Sequence, residues 1–436
     1  FPTRRSSDLI GPPENAVELM GNKAEAKRRM QEAGVPCVPG YEGHDQSDEA
    51  FLSAAREIGF PLMVKAAAGG GGRGMRLVET EDELATAIER ARPEAENAFG
   101  SGELILEKAV VRPRHVEIQV FADSHGNTLH FGERDCSIQR RHQKVIEEAP
   151  CPVMTPRLRE HMGDAAVHAA EAIGYLGAGT VEFLLDADGN FYFLEMNTRL
   201  QVEHPVTELV TGLDLVELQI RVAQGEPLGF SQQDVGFTGH AIEARLYAED
   251  PAKDFMPATG LVELWHPARG EGIRVDDGIR SGQEVSPFYD AMIAKVIAWG
   301  HSREMARQRL VHALRRTAVY GPKTNKGFLI DCLERESFAR GEATTAFIPE
   351  EMEAALAESG VPTLEQGAVA AALRYCLDRE AAYRESLGAS RRLRDWSSSI
   401  RLGTRYHFRF GEEEIDVSVW PAGPDHYRVR CGDEEI

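Results

Sequence analysis

One stretch of the sequence, residues 180–197, constrains the fold more than any other. Two apolar, aromatic-rich runs flank Asp188-Gly189, a dipeptide typical of two-residue hairpin turns. A turn of that kind pairs the runs in an antiparallel ribbon and places Glu182 directly opposite Glu195. Facing carboxylates repel each other, so this pair needs a counter-charge on its face of the ribbon. The sequence therefore predicts an antiparallel sheet with an acidic centre.

A shared divalent cation would supply that counter-charge, because hard cations bind carboxylate and amide oxygens. Asn197 lies two residues beyond Glu195 on the same face and adds a neutral oxygen. Glu182, Glu195 and Asn197 are therefore predicted to hold Mg²⁺ or Mn²⁺ of the kind that grips nucleotide phosphates. A solvated acidic face on an edge hairpin is the alternative, and the apolar flanking residues argue against it.

The same face continues past Asn197 if the chain stays extended. It then presents Arg199, Gln201 and Glu203 in turn. Arginine and glutamine supply donors suited to a small planar oxyanion, and Glu203 could take up a proton. A basic run ends at Lys144, which we favour as a further anion ligand over a merely solvated charge. The pattern predicts an anion pocket with a base beside the cation site.

A glycine-rich loop, residues 69–74, follows the apolar run 60–64 and Lys65. Glycine lets backbone N–H groups approach phosphate oxygens closely, whereas a mobile surface hairpin is the alternative. Strand-like residues 75–78 follow the loop, which argues against a dinucleotide-binding fold, and the absence of any Gly-Lys dipeptide excludes a Walker A loop. Lys65 favours a phosphate-binding loop that joins two strands.

Two further strands carry charged residues whose role the spacing leaves open. Residues 240–246 alternate, with Glu243 and Arg245 on one face, and these two could be a structural ion pair or part of a site. His115 opens the strand-like run 115–120. By itself it is more typical of a strand residue whose hydrogen bonds are satisfied within the fold than of a functional residue. The sequence pattern alone therefore leaves the roles of these charged residues open.

The formal net charge of −21 disfavours a general nucleic-acid or anionic-membrane partner. The six cysteines form no C-x-x-C pair, so reduced thiols in a cytoplasmic protein are expected. No apolar stretch approaches the roughly 18–20 residues of a membrane span, and no signal peptide is recognisable. We expect a cytoplasmic protein with neither nucleic acid nor membrane as partner.

The patterns along the chain mix helices and strands in the order of an α+β protein. A capping box of Thr80 and Glu83 is predicted to open one of the helices. Helices are predicted at residues 14–33, 47–58, 80–98, 158–173, 302–316 and 350–387. Strands are predicted at residues 60–64, 75–78, 104–108, 115–120, 128–131, 180–197, 240–247, 271–285, 405–420 and 426–430.

Long motifs between residues 10 and 349 resemble the biotin carboxylase component of biotin-dependent carboxylases, within the ATP-grasp superfamily. The motifs are Ile10-Gly-Pro12, Met20-Gly-Asn-Lys23, Lys65 with residues 69–75, Pro113-Arg-His-Val-Glu-Ile-Gln119, Glu133-Arg-Asp-Cys-Ser137, Gln139-Arg-Arg-His-Gln-Lys144, residues 195–205, and Arg245 with Ala248-Glu-Asp-Pro251. Asn22 stands where the family usually has aspartate.

The resemblance implies an α+β ATP-grasp fold with a mobile glycine-rich lid, a biotin carboxylase C-terminal domain and a partial helical and β tail. Residues 1–9 are expected to be non-native or disordered, because the family's N-terminal domain does not match them. The implied divisions are a remnant of that domain with a connecting helix at 10–36, the lid at 37–109, the ATP-grasp core and C-terminal domain at 110–349, and a linker helix with the start of a β-rich domain at 350–436. That tail is similar to α-subunits of methylcrotonyl-, geranyl- and propionyl-CoA carboxylases.

The resemblance also implies a reaction, the carboxylation of biotin by ATP and bicarbonate through carboxyphosphate. ATP and Mg²⁺ or Mn²⁺ would be needed, with bicarbonate as substrate. The biotin would be held on a separate carrier domain, because the Ala-Met-Lys biotinylation signature is absent from this chain. The implied partners are that carrier domain and a carboxyltransferase β-subunit, and a homo-oligomer is compatible with the family.

Roles for individual residues follow from the matching motifs. The residues implied to bind ATP phosphates are Lys23, Lys65, Gly70, Gly71 and Gly72, and those near adenine and ribose are Glu107, Lys108, His115 and His142. The implied cation ligands are Glu182, Glu195 and Asn197, and the bicarbonate ligands are Lys144, Arg199, Gln201 and Val202. Glu203 would deprotonate bicarbonate, and Arg245 would stabilise the biotin enolate.

Two other functions remain open from the sequence. A different ATP-grasp ligase, such as a carbamoyl-phosphate synthetase, would share the nucleotide site but use ammonia. A non-catalytic nucleotide-binding or assembly fragment would bind ATP without turning it over. Substrate dependence separates the three.

Overall fold

The computed structural model describes residues 9–68, 75–352, 363–386, 388, 390, 396, 402–410, 413–423 and 426–436. The chain divides into two compact units, Phe1–Ala357 and Glu358–Ile436. The expected non-native segment falls almost wholly outside the described residues, and so do Gly70, Gly71 and Gly72. Among the helices that are described, none combines the length and the apolar character needed to cross a membrane.

The first unit begins with two helices, α1 (Glu14–Gly21) and α2 (Lys23–Glu32). The prediction of one helix over 14–33 is wrong, because Asn22 has an extended backbone and forms an isolated bridge with Ala68. The Asn22 side chain accepts from two backbone N–H groups of α2 and so caps that helix. Lys23 N–H donates to the Ala67 carbonyl at 2.8 Å. The break therefore holds Lys23 beside the strand that leads to the glycine loop.

A four-stranded antiparallel sheet in the order β1-β4-β2-β3 comes next. Its strands are β1 (Gly40–Tyr41), β2 (Leu62–Ala66), β3 (Arg76–Val78) and β4 (Leu104–Lys108), and its helices are α3 (Asp48–Ile58) and α4 (Glu81–Phe99). The helices bury Phe51 and Leu84 against Leu62 and Leu106. Strands β2 and β3 pair with each other, so the predicted placement of the glycine loop between two strands is confirmed.

The predicted capping box before α4 is wrong, although the helix begins where expected. Thr80 makes no side-chain bond to the helix. Glu83 instead accepts from the Glu79 N–H at 2.9 Å. The acidic residue therefore satisfies an N–H just outside the helix without a reciprocal bond from the threonine.

An eight-stranded antiparallel sheet in the order β15-β17-β10-β7-β6-β5-β8-β9 forms the centre of the first unit. Its strands are β5 (Arg114–Ala122), β6 (Thr128–Arg140), β7 (Gln143–Ala149), β8 (Gly177–Leu185), β9 (Phe191–Asn197), β10 (His240–Tyr247), β15 (Ile273–Asp277) and β17 (Met292–Gly300). The other strands in the described part of this unit form three short pairs: β11 (Glu249–Asp250) with β12 (Met256–Pro257), β13 (Gly260–Leu261) with β16 (Glu284–Val285), and β14 (Leu264–His266) with β18 (Ala318–Tyr320). The described helices and antiparallel sheets agree with the predicted α+β class.

Helices pack on both faces of this sheet. They are α5 (Pro156–Ala172), α6 (His204–Thr211), α7 (Leu215–Ala223), α8 (Arg303–Arg316), α9 (Lys326–Glu334) and α10 (Glu336–Ala339), with short turns of other helix types at Gln232–Asp234, Pro251–Lys253 and Ile348–Met352. Val181 packs with α5 residue Ala166, and Ala244 packs with α8 residue Leu314. Successive strand residues point to opposite faces, so Glu182 and Arg245 lie on the face opposite α5 and α8, which we call the polar face. Helices α6 and α7 pack on parts of this same face, through Val206 and Leu215 among others.

The β8–β9 hairpin confirms that Glu182 faces Glu195, but by an unexpected route. The predicted two-residue turn is wrong, because Asp186 N–H donates to the Asn190 carbonyl at 2.9 Å and encloses three residues, 187–189. A register shift after Glu182 then leaves Leu194 as an extra residue. The extra residue in the turn shifts the strand register by one, and the bulge shifts it back by one. Glu182 and Glu195 therefore still face each other.

The second unit pairs helix α11 (Leu364–Glu385) with a four-stranded antiparallel sheet. The strands are β19 (Thr404–Phe410), β20 (Glu413–Gly423), β21 (His426–Cys431) and β22 (Glu434–Glu435), in that order. Ala371 of the helix packs against Val419 and Val429 of the sheet. The predicted helix at 350–387 is confirmed over α11, whereas residues 353–362 and 387 lie outside the described part of the chain.

Candidate functional site

The polar face of the eight-stranded sheet gathers ionisable side chains that are almost fully buried. Burying a charge is costly unless it is paired, so such a concentration indicates a site rather than a structural core. The residues are His115, Glu117, Arg134, Lys144, Glu147, Glu182, Glu203, Glu243, Arg245 and Lys295.

Lys144, which the sequence analysis favours as an anion ligand, lies among three carboxylates of this face. Its Nζ donates to Glu117, to Glu182 Oε1 at 2.7 Å and to Glu203 Oε1 at 2.7 Å. Burial alone would lower the pKa of Lys144, but the surrounding carboxylates raise it well above its usual value. Lys144 is therefore a permanent cation that draws three strands and the turn after β9 together.

Arg134 is a second buried cation, which the sequence reasoning missed. It is completely inaccessible to solvent. Its guanidinium donates to Glu117 Oε1 at 2.5 Å, Gln119 Oε1 at 2.8 Å, Thr207 Oγ1 at 3.0 Å, Thr180 Oγ1 at 3.1 Å and Gln201 Oε1 at 3.2 Å. A charged residue within the motif Glu133-Arg-Asp-Cys-Ser137 was the available signal, but only a fold shows which face it takes.

Glu203 lies on the polar face with Lys144 and Arg245, but the chain does not stay extended up to it. Strand β9 ends at Asn197, and the chain turns into α6 directly after Glu203. The turn brings Glu203 Oε1 to Lys144 and Glu203 Oε2 to Arg245, at 2.7 Å and 2.8 Å respectively. Burial would raise the pKa of Glu203, but Lys144 and Arg245 lower it to about 2. Glu203 is thus an ionised carboxylate held between two cations.

This lowered pKa predicts how stability depends on pH. Ionised Glu203 contributes stability that is complete above the unfolded-state pKa of about 4.3 and is lost as pH falls through about 2. We expect the stability difference between the parent and Glu203→Gln to be constant from pH 7 to 5 and to shrink by about 3 kcal/mol toward pH 2. Urea unfolding at each pH measures it. A difference that shrinks between pH 8 and 6 instead would contradict the assignment.

Glu182 is surrounded by donors from four elements. Its Oε1 accepts from Asn197 Nδ2 at 2.9 Å and from Gln201 Nε2 at 3.0 Å, in addition to Lys144. Its Oε2 lies 2.8 Å from His115 Nε2. Burial would raise the pKa of Glu182, but Lys144 and His115 lower it well below its usual value. The structure therefore brings Glu182, Asn197, Gln201 and His115 together.

The remaining residues of the predicted cation and anion sites lie at the rim. Glu195 Oε2 is 3.7 Å from Lys23 Nζ, which places a predicted phosphate ligand beside a predicted metal ligand. Arg199 is exposed, and its guanidinium donates to Asn197 Oδ1 at 3.3 Å. The Val202 carbonyl accepts from Lys295 Nζ at 2.7 Å. These contacts place the rim next to the buried centre.

The oxygen atoms of Glu182, Glu195 and Asn197 suit a hard divalent cation such as Mg²⁺ or Mn²⁺. Neighbouring Lys144 and His115 balance the charge of Glu182 in this structure. Among the described residues, two groups of His, Cys and acidic side chains have ligand atoms within 4.8 Å of one another: His115, Glu117 and Glu182, and Glu117, Cys136 and Glu203. Glu195 belongs to neither group, so its role as a ligand remains a prediction.

Arg245 is bracketed by two carboxylates. Besides Glu203, it donates from Nε to Glu147 Oε1 at 2.5 Å. Glu147 faces Glu243 across the β7–β10 ladder, and burial raises the pKa of both, to about 7 for Glu147. Glu243 and Arg245 therefore share the polar face of β10, as the alternation predicted, and Arg245 reaches the site.

The predicted nucleotide ligands lie around β2, β4 and the β6–β7 turn. Lys65 forms a buried ion pair with Glu107, and Lys108 Nζ donates to the Phe60 carbonyl at 2.7 Å. His142 adopts a positive φ of 66° in the turn after β6. Burial, and then the charges of Lys65 and Lys23, lower the pKa of His142. The structure thus brings His142 near the two lysines predicted to meet phosphate.

Comparison with known families matches almost the whole of the first unit. Residues 22–231 match the ATP-binding domain of the carbamoyl-phosphate synthase L chain. Residues 243–350 match the biotin carboxylase C-terminal domain. The first match ends after α7 and the second begins within β10, so the buried site takes residues from both.

Two curated relatives illustrate the similarity. A biotin carboxylase of Nostoc is 52% identical over 342 residues, 78% of this chain and 76% of that protein. The mitochondrial methylcrotonoyl-CoA carboxylase subunit alpha of Dictyostelium discoideum is 51% identical over 350 residues, 80% of this chain but 50% of that protein. The chain thus spans about half the length of such α subunits.

Two solved structures share the fold. The biotin carboxylase domain dimer of the Hydrogenobacter thermophilus 2-oxoglutarate carboxylase, in complex with MgADP, ADP and bicarbonate, has a TM-score of 0.77 and 47% identity, covering 81% of this chain and 77% of that one. A Campylobacter jejuni biotin carboxylase in complex with β,γ-ATP has a TM-score of 0.76 and 45% identity, covering 78% and 76%. This chain is therefore similar to both structures in sequence as well as in fold.

Proposed function

The chain belongs to the biotin carboxylase family of ATP-grasp proteins, and from this premise we propose that it uses ATP and bicarbonate to carboxylate biotin on a carrier domain through carboxyphosphate. The observation that best supports this reaction is Glu203, an ionised carboxylate held between Lys144 and Arg245. A base flanked by two fixed cations suits an anionic substrate that must lose a proton.

Bicarbonate would be bound by Lys144, Arg199 and Gln201, with the backbone of Val202 alongside. Lys144 and Gln201 both donate to Glu182 Oε1 in this structure. The cations that lower the pKa of Glu203 would also stabilise the doubly charged carbonate, and so would lower the pKa of the bicarbonate that must lose its proton. Once bicarbonate shares Lys144, the hold of Lys144 on Glu203 weakens and the carboxylate becomes a stronger base. The substrate would therefore activate the group that deprotonates it.

ATP phosphates would be held by Lys23, Lys65 and the loop containing Gly70, Gly71 and Gly72. Glu107, Lys108, His115 and His142 would lie near adenine and ribose. Glu182, Glu195 and Asn197 would hold Mg²⁺ or Mn²⁺, which when bound neutralises charge on the transferring phosphoryl group. The ion pair between Lys65 and Glu107 would open as Lys65 turns to phosphate.

The second half of the reaction would place biotin against Arg245. Carboxyphosphate would give CO₂ and phosphate, and the phosphate would take the biotin N1 proton. Arg245 would then stabilise the resulting enolate, since its guanidinium is fixed by Glu147 and Glu203, and biotin N1 would form its bond to the carbon of CO₂. Exclusion of water would protect the labile intermediate.

The partners are part of the proposal. We infer that the chain serves a biotin carrier domain and a carboxyltransferase β-subunit, as in acyl-CoA carboxylases. Support comes from the methylcrotonoyl-CoA carboxylase subunits alpha of Dictyostelium discoideum, rat and mouse, each at least 50% identical to this chain. A homo-oligomer is also compatible, because one similar solved structure is a domain dimer.

The proposal predicts that free biotin and bicarbonate together stimulate release of ADP from ATP. Coupled ADP detection with each substrate omitted in turn measures this. Ammonia-dependent ADP release without biotin would favour a carbamate-forming ligase instead. ATP binding by calorimetry, with the same ADP release whether or not bicarbonate is present, would favour a non-catalytic fragment. Either result would contradict the proposed function.

A further inference from the structure

We propose that Lys295 is a positioning residue for bicarbonate, fixing the turn at residues 198–203 through the Val202 carbonyl. The inference rests on the proposed function and deepens it, because that turn carries the anion ligands and the base. Lys295 itself comes from β17, a strand in the region that matches the biotin carboxylase C-terminal domain. It would therefore make substrate binding depend on both matched regions.

The contacts of Lys295 show a side chain committed to the turn. Its Nζ donates to the Val202 carbonyl at 2.7 Å and lies 3.4 Å from Asp276 Oδ2. The side chain is only 11% exposed, although an unconstrained lysine would extend into water. A buried ammonium needs partners, and a charged donor binds a carbonyl more strongly than a neutral one does. The bond to Val202 is therefore a firm attachment.

The position of Val202 makes that attachment matter for the site. Val202 lies between Gln201, whose amide donates to Glu182, and Glu203, whose carboxylate binds Lys144 and Arg245. A displaced Val202 carbonyl would rotate the adjoining peptide units and move both side chains. The donor and the base would then lose their common alignment toward a small planar anion.

A second attachment holds the helix that follows the turn. Arg274 of β15 donates to Asp276 at 2.8 and 2.9 Å and to Glu208 Oε2 of α6 at 2.6 Å. Lys295 pairs with Asp276 on one side and with Arg245 on the other in the strand register. Strands β15 and β17 thus hold both the turn and α6, so Lys295 is placed against a fixed frame.

The test replaces Lys295 by methionine, which keeps a similar length but removes the donor. We expect the KM for bicarbonate to rise about tenfold or more, with the KM for ATP unchanged within about twofold, because the nucleotide ligands lie elsewhere. Lys295→Arg keeps a cationic donor and should recover much of the loss. Steady-state ADP release at varied bicarbonate and at varied ATP separates the two constants.

Lys326→Met is the matched control. Lys326 also lies in the C-terminal region and donates from Nζ to a backbone carbonyl, that of Thr317, at 2.9 Å. Within the described part of the chain, Lys326 Nζ contacts no residue of the proposed site. A rise in the bicarbonate KM of the same size in this variant would show a general structural effect and overturn the inference.

Hydrogen–deuterium exchange tests the attachment without relying on turnover. The peptide covering residues 198–206 should exchange at least about fivefold faster in Lys295→Met than in the parent, Lys295→Arg or Lys326→Met, because an attached turn opens less often. Absence of bicarbonate-dependent turnover in the parent would refute the proposed function alone. Unchanged exchange in Lys295→Met, or an unchanged bicarbonate KM in an active parent, would refute the role of Lys295.

Discussion

Replacing Glu203 by glutamine is expected to lower the biotin- and bicarbonate-dependent rate of ATP cleavage about 10²- to 10⁴-fold, the usual contribution of a general base. Glutamine has nearly the shape of glutamate, so the turn into α6 can persist. The amide cannot accept the bicarbonate proton, and it leaves Lys144 and Arg245 without a shared carboxylate. The substitution therefore removes both the proton acceptor and the negative charge between Lys144 and Arg245.

The matched control is Glu133→Gln. Glu133 is also a buried carboxylate, and it accepts two bonds of 2.7 Å from Arg159 away from the catalytic face. Its replacement removes a comparable ion pair without touching Lys144 or Arg245. Glu133→Gln should therefore keep most of the parent rate, whatever it costs in stability. Equal rates for Glu203→Gln and the parent would remove Glu203 from the mechanism.

ATP binding should survive in Glu203→Gln, because the lysines predicted to bind phosphate lie on other elements. Calorimetric titration with MgATP is expected to give a Kd within about threefold of the parent. A large loss of ATP affinity would show that the substitution disturbs the whole site. The rate loss could then no longer be assigned to proton transfer.

The hairpin shows how far local patterns carry and where they stop. Alternation places Glu182 and Glu195 in two strands of opposite direction, and the structure pairs them. The turn at Gly189 and the bulge at Leu194 were not readable, because both a two-residue and a three-residue turn accept Asp-Gly. The predicted pairing of Glu182 with Glu195 is nevertheless correct, because the extra turn residue and the bulge shift the register by one residue in opposite directions.

The site also depends on contacts that no local pattern contains. Glu203 meets Lys144 because the chain bends after Asn197, not because the strand continues as expected. Arg134 is 46 residues from Thr180 and 73 from Thr207, so only the assembled sheet reveals its network. The resemblance pointed to the reacting residues, whereas the buried residues that support them required the fold.

Arg134→Met is expected to be the most destabilising of these substitutions, at about 3–5 kcal/mol, the usual cost of removing one partner of a buried ion pair. The methionine fills much of the space but donates nothing. Glu117 would keep Lys144 as its cationic partner, while Gln119 and Thr180 would lose a charged donor. The midpoint of urea unfolding of the first unit, at pH 7, measures the loss.

Arg315→Met is the control for arginine removal as such. Arg315 forms an exposed pair with Glu334 at 2.8 and 3.0 Å. Exposed pairs contribute little, so this variant should change stability by less than about 1 kcal/mol. Similar midpoints for the two variants would show that the buried network is not a source of stability.

A double substitution separates an unpaired charge from a packing defect. If Arg134→Met is costly because Glu117 is left without enough positive charge, then adding Glu117→Gln should restore part of the lost stability, since both charges are removed. If the loss of stability comes from a cavity, adding Glu117→Gln should lower the stability further or leave it unchanged. Burial alone raises the pKa of Glu117 and Arg134 is the leading opposing influence, which favours recovery in the double variant.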